Sequence, residues 1–340
     1  IFQYGRAIGG GEYNSGGAFA IRDYDELEIR NSVFRHNLAD LDDATYVTCG
    51  GAMALWNASP FIQKCIFHHN YALDYAGAII AYMGSEPIIS NCLFYDNESA
   101  RGGAIAFYEY SNGILMNSTI SNNLATEYGG ALYFYKESNP EVINNILWDN
   151  EATNAGDEVY FSIWASTPGF YYCDIEGGLE EFGGLDFFGE YVACIEDDPM
   201  FMEGDEYPLF YPGISPCFNA GTPNDSPWFL EEYLPELDLY GLNRVDAGRI
   251  DIGVYESLFT GVPEPGSSAN TTMTVYPNPV SSNAILSGQF ATQDKVDICV
   301  YNTAGLCLKN WEFVSQPNSQ QVFTLNFNNL PPGIYFLRIQ

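Results

Sequence analysis

The stretch GGAIAFYEYSNGILMNSTISNN at 102–123 has close counterparts 26 and 27 residues to either side. Gly-Ala recurs at Gly17-Ala18, Gly51-Ala52, Gly77-Ala78, Gly103-Ala104 and Gly130-Ala131, and a closing Asn at Asn37, Asn70, Asn97, Asn123 and Asn150. The Asn spacings are 33, 27, 26 and 27. The long first interval follows from an insertion, ADLDDATYVTC, expected as a loop bulging from one coil and carrying the solvated pair Asp42 and Asp43.

Between these markers stand two apolar columns, Ile29, Ile62, Ile89, Leu115, Val142 and Phe34, Phe67, Phe94, Ile120, Leu147. After each Gly-Ala the apolar residues alternate, Phe19, Met53, Ile79, Ile105, Leu132 and then Ile21, Leu55, Ala81, Phe107, Phe134, which is the period of a strand. Short strands at a fixed period, with turn residues and no helical pattern, describe a solenoid whose units bury their apolar faces only by stacking. Coils would lie ~4.8 Å apart, so equal positions become ladders. A Gly supplies unusual backbone angles or close approach at a corner. An Asn tolerates a left-handed turn while its amide bonds the next coil. The small column Ser32, Cys65, Cys92, Ser118, Asn145 suits a tight corner.

The 340 residues are 46% hydrophobic, enough for two or more domains with real cores. Twelve Lys and Arg against 44 Asp and Glu leave a charge of −32, which repels the phosphates a nucleic-acid binder must neutralise. The same acidity serves solubility outside the cell, or attracts divalent cations such as Ca²⁺ where carboxylates cluster. The longest apolar run, Ala76–Met83, is far short of the ~20 residues of a membrane helix, so no transmembrane segment is expected. None of the eight Cys has zinc-type Cys-x-x-Cys spacing, and an oxidising compartment suits them. The opening IFQYGRAIGG has neither a basic start nor an apolar signal region, so the chain is expected to be mature, trimmed or a fragment.

The GGAMAL with IFHHN and GGAIAF with TISNN repeats resemble those of right-handed parallel β-helix proteins, among them pectate-lyase-like proteins and bacterial polymorphic outer-membrane proteins. The resemblance covers about residues 9–165 and implies an all-β fold, a right-handed parallel β-helix solenoid over 1–165. From Tyr171 the repeat dissolves into YYCDIEGG, DDPMF, GISPCFNAG and RIDIGVYE, a series similar to the choice-of-anchor Q region that closes many secreted bacterial β-helices. Asn219 stands where that pattern commonly has Asp. Residues 166–257 are read as this cap, covering an open core and an unpaired edge, with Cys173, Cys194 and Cys217 as candidates for one disulfide. The Gly, Pro and Ser content around GVPEPGSSANTT makes 258–272 a linker. Over 273–340, VYPNPV and FTLNFNNLPPGIYFLRI resemble the C-terminal sorting domain of the type IX secretion system of Bacteroidetes. That resemblance implies a small β-sandwich, recognition by the secretion machinery, and an extracellular or outer-membrane-surface location. Members usually continue for a final basic strand, so a truncated end is expected at Gln340.

One scaffold of this kind hosts lyases, hydrolases, adhesins and passive stalks, so activity must be argued from sites. A lyase needs carboxylates to hold Ca²⁺ and a base to take the C5 proton. His36, His68, His69, Asp96 and Asp149 are the catalytic candidates, against the plainer reading of a polar outer turn leading into the Asn column. The column Asp23, Asn57, Met83, Glu109, Lys136 lacks the paired carboxylates of a glycoside hydrolase. One outward column is unusual: Arg22, then Trp56, Tyr82, Tyr108 and Tyr135. Alternation points these rings away from the core, as a sugar-binding strip ~14 Å long with Asn57, Glu109 and Lys136 beside it, or as a self-stacking ladder. The resulting reading is a secreted or surface-displayed β-helix that binds or adheres to a polysaccharide or surface glycan. A polysaccharide lyase or glycoside hydrolase, and a purely structural stalk, are the alternatives.

Overall fold

The computed structural model describes residues 1–7, 13–40, 47–164, 166–201, 215–245, 249–256, 274–276, 283–289, 295–301, 307–314, 320–328, 330 and 335–339. Two compact units, Ile1–Ser257 and Leu258–Gln340, make up the chain. Asp42, Asp43 and the GVPEPGSSANTT stretch lie outside the described residues.

In the first unit, the alternating strands after each Gly-Ala form one parallel sheet, Phe19–Arg22, Met53–Trp56, Ile79–Tyr82, Ile105–Tyr108, Leu132–Tyr135, Val159–Phe161 and Gly183–Gly184. A second runs from Glu28–Arg30 through Phe61–Gln63, Ile88–Ser90, Ile114–Met116, Glu141–Ile143 and Gly169–Tyr171 to Glu190–Val192. The third joins Phe2–Gln3, Val33–Arg35, Ile66–His68, Leu93–Tyr95, Thr119–Ser121, Ile146–Trp148 and Asp174–Ile175. Equal columns are paired in register, for example Ile79 with Met53 and Ile105, and Phe67 with Phe34 and Phe94. Their side chains therefore stack: Phe34, Phe67 and Phe94 lie 4.8 and 4.9 Å apart with rings within 6° of parallel. Such pairs add roughly 0.5–1.5 kcal/mol each to the burial of their area.

The paired glycines divide the labour. Gly102 takes the left-handed turn at φ 73°, whereas a Cβ on Gly103 would meet the Gly130 carbonyl at 2.2 Å. Successive corners pack too closely there for any side chain. The closing Asn residues form a continuous chain in which each Nδ2 reaches the next Oδ1 at 2.9 Å, from Asn37 through Asn70, Asn97 and Asn123 to Asn150. These residues are not the left-handed ones. That role falls to the residue before each, His36, His69, Asp96, Asn122 and Asp149, with φ between 53° and 59°.

The cap differs from a lid drawn over 166–257. The parallel ladder runs on to Val192, and the end of the core is plugged by Phe182 and Phe187, whose rings pack on Phe161 and Phe170 at 5.3–5.8 Å. The later stretch instead runs along the solenoid flank. Thr222 exchanges hydrogen bonds with Asn144, Val254 N–H donates to Thr119, and the Tyr233 carbonyl accepts from Ser90 and Gln63. Its apolar residues Ile252, Val254 and Tyr255 cover Leu93 and Ile146 on the outer side of the third sheet. Cys173, Cys194 and Cys217 are free thiols. Cys173 and Cys194 stack in one column facing the same way, and Cys217 donates to the Asp174 carboxylate at 3.0 Å. At the opposite end, a cavity of about 400 Å³ lined by Phe2, Phe19, Ile21, Leu27 and Ile29 opens beside the outermost strands.

The second unit has two three-stranded antiparallel sheets. Thr274–Tyr276, Asn283–Gln289 and Gln320–Asn326 form one, and Cys307–Val314, Lys295–Tyr301 and Phe336–Ile339 the other. Leu286, Val296, Ile298, Val300, Leu325 and Phe327 fill the core between them.

Candidate functional site

Because alternate residues of a strand point to opposite faces, the second and fourth positions of the first sheet leave the core. The second positions, Ala54, Ile80, Ala106 and Tyr133, floor an outer apolar cluster. Along the fourth, the Arg22 guanidinium lies 3.7 Å over the Trp56 ring. Trp56 and Tyr82 follow at 5.2 Å and 60°, Tyr82 and Tyr108 at 5.3 Å and 49°, and Tyr108 and Tyr135 at 4.1 Å and 16°.

These rings do point outward, yet Trp56 and Tyr82 are only 7% and 9% exposed. A fully solvent-facing strip is therefore not what the chain forms. The isolated bridges Cys49 to Tyr75 and Tyr75 to Arg101 lay a further layer beside the strip, and Tyr75 meets Tyr108 edge-on at 5.1 Å. The nearly parallel Tyr108 and Tyr135 rings occupy one another's faces. Around the tilted rings a cleft of about 200 Å³ remains, lined by Val47, Cys49, Trp56, Tyr75, Ile80, Tyr82, Tyr108 and Glu109. Of these, Val47, Cys49, Tyr75 and Ile80 are invisible to a reading of the outward column alone. The available signal was Tyr two residues before the second glycine, at Tyr75 and again at Tyr128.

Burial, reinforced by Tyr75 and Tyr135, pushes the Tyr108 phenol well above its ordinary range, and burial raises Tyr133 to about 12. Both keep their O–H as donor and acceptor across the working pH range. At the rim, the Lys136 ammonium donates to Glu109 Oε1 at 2.8 Å, a bond that raises the lysine. Asn57 Nδ2 donates to Asp23 Oδ1 at 2.8 Å. Asn57, Glu109 and Lys136 all adopt left-handed φ at the turn leaving the sheet.

The catalytic candidates occupy another turn, after the third sheet. His68 Nδ1 lies 2.9 Å from His69 Nδ1, His69 Nε2 is 3.7 Å from Asp96, and the His36 ring is 5.1 Å from that of His69. Desolvation, then His69, His36 and Arg35, lowers His68 to about 4, and desolvation likewise lowers His36. At pH 7 the His68 imidazole is therefore neutral. Asp149 stands two coils beyond Asp96, raised by burial and then by Asp198. The five residues thus form a string along the axis, four of them the left-handed corner residues, rather than one convergent site. Among the described residues no group of three or more His, Cys, Asp or Glu is placed to hold a metal ion, Ca²⁺ included.

Comparison with known proteins agrees with both halves of this description. Residues 11–174 match the family model of the right handed beta helix region, and residues 274–340 that of the secretion system C-terminal sorting domain. No curated protein and no solved structure matches the chain.

Proposed function

We propose that this β-helix, exported to the cell surface or extracellular space through its type IX sorting domain, is a binding or adhesive module for carbohydrate. The sorting domain implies contact with the secretion machinery, and no helix among the described residues is long and apolar enough to cross a membrane. The observation that carries the reading is the cleft. Four aromatic rings and one carboxylate surround a space smaller than the roughly 300 Å³ at which drug-sized sites begin, so it suits one sugar-sized ring rather than a long ligand. Apolar C–H faces of a sugar would pack on the tilted rings, and its hydroxyls would bond Glu109 and the tyrosine O–H groups.

The stacked Tyr108 and Tyr135 rings favour a second reading, in which the column only stabilises the solenoid, at roughly 0.2–1 kcal/mol per cross-strand pair. Substitution of Tyr82 and Tyr108 by Ala separates the two. Affinity electrophoresis through gels of soluble polysaccharides, alongside thermal melting, should show lost retention with folding retained. Lowered melting temperature with unchanged retention would leave the ladder as structure alone.

A further inference from the structure

Beside the cleft, the turn that leaves the first sheet carries an exposed apolar ridge. Met83 is 52%, Tyr110 50% and Trp164 62% exposed, and Ile163, beside Trp164 in sequence, is exposed as well. All three named first hold left-handed backbone, with φ of 56°, 62° and 64°. That conformation is disfavoured for bulky L residues and comes without cost only to glycine, which does occupy this turn at Gly84, φ 78°. Tyr110 and Trp164 therefore combine backbone strain with large apolar side chains left in water. Left-handed residues recur at the solenoid's corners, so the mark of this ridge is the pairing of that backbone with large exposed rings, where other coils place Asn, Lys or Glu.

The ridge is ordered by the coils beneath it. Tyr110 N–H donates to the Lys136 carbonyl and Lys136 N–H to the Ile163 carbonyl, so Tyr110 and Trp164 stand two coils apart, about 9.6 Å along the axis. Glu137 lies exposed on the coil between them. Tyr110 follows Glu109 of the cleft wall, making ridge and cleft continuous. The Lys136 ammonium is spent on Glu109 and on the Tyr110 face, 5.4 Å from its centroid. With Glu137 in no ion pair among the described residues and a chain charge of −32, a carboxylated ligand would be repelled.

We propose that Tyr110 and Trp164, with Met83, form a binding strip for an uncharged polysaccharide lying along the solenoid axis. Two sugar units on one chain stack on the two rings, and Glu137 accepts hydrogen bonds from hydroxyls of the stretch between. The proposal rests on the glycan-binding reading of the cleft, and deepens it by naming the charge class and direction of the ligand.

The test uses the full chain in affinity electrophoresis against neutral probes (a soluble β-glucan, a xylan, a mannan) and acidic ones (polygalacturonate, alginate). Retention by at least one neutral probe is expected, insensitive to salt between 50 and about 500 mM because no ion pair is released. Joint Tyr110→Ala and Trp164→Ala substitution should weaken that retention at least tenfold. Trp164→Phe, which keeps a ring, should restore most of it, and Tyr110→Gly should not lower the melting temperature, since it relieves the backbone. Three results overturn the strip: full retention by the double variant, with Tyr82→Ala reporting separately on the cleft, preference for the acidic probes, or a fall in affinity with salt. The first leaves the cleft reading standing. No retention of the unaltered chain by any probe removes both.

Discussion

Replacing Asn97 by Leu tests the Asn chain where it is most enclosed. Asn97 Nδ2 donates to Asn123 Oδ1 and the Phe67 carbonyl at 2.9 Å, and to the Tyr95 carbonyl at 3.2 Å. Its Oδ1 accepts Asn70 Nδ2 at 2.9 Å and the Asn70 backbone N–H at 3.1 Å. Leucine fits the volume but offers none of these bonds. Asn70 Nδ2 keeps the Phe34 carbonyl and Asn123 Oδ1 keeps the backbone N–H of residue 97, so neither is orphaned. The Asn70 N–H has no other acceptor among the described residues, and Asn70 is buried. An orphaned buried donor costs about 1–3 kcal/mol, and the Phe67 carbonyl loses its side-chain donor as well. The expected loss is about 3 kcal/mol, which for a unit of this size lowers the melting temperature by roughly 6–12 °C. Asn37→Leu is the internal comparison. Asn37 Oδ1 serves the half-buried Gly5 N–H at the end of the chain of amides, where water replaces it, so its loss should stay under about 1 kcal/mol. Urea denaturation followed by far-UV circular dichroism reads both. Equal losses for the two variants, or less than about 0.5 kcal/mol at Asn97, would refute the cooperative ladder.

Stability should also fall as pH rises. Burial raises Asp174 to about 7 from its unfolded value near 3.9, so its contribution is complete below pH 4 and is lost as pH climbs through 7. Three units correspond to about 4 kcal/mol, and Asp174→Asn should flatten that part of the curve; identical pH slopes in the two proteins would exclude Asp174 as its source. Deleting 258–340 should abolish delivery to the cell surface while leaving 1–257 folded, as the two units hold separate cores. Cell fractionation with a folding probe checks both halves, and surface display of the shortened chain would remove the sorting role.

The solenoid was legible because its tertiary contacts are also its sequence period. Gly103 meets Gly130, Phe67 meets Phe94 and Asn97 meets Asn123, each pair one repeat apart, so a column of equal letters is a list of neighbours in space. The sorting domain was legible for another reason, its characteristic VYPNPV and LPPGIYFLRI stretches. Contacts without a period left no such trace. Thr222 on Asn144, Tyr233 on Ser90 and Val254 on Thr119 join positions 78, 143 and 135 residues apart, once each, so nothing in the spacing marked 215–256 as a flank rather than a lid. The aromatic column lay between these extremes. Alternation settled that Trp56 and Tyr82 leave the core, but not how much water they meet, because that depends on Tyr75 and Cys49 arriving from a neighbouring bridge. Exposure at Tyr110 and Trp164 was likewise decided by the fold, since left-handed corner residues end either way: Asn144 is buried against Thr222, whereas these two rings stay in water.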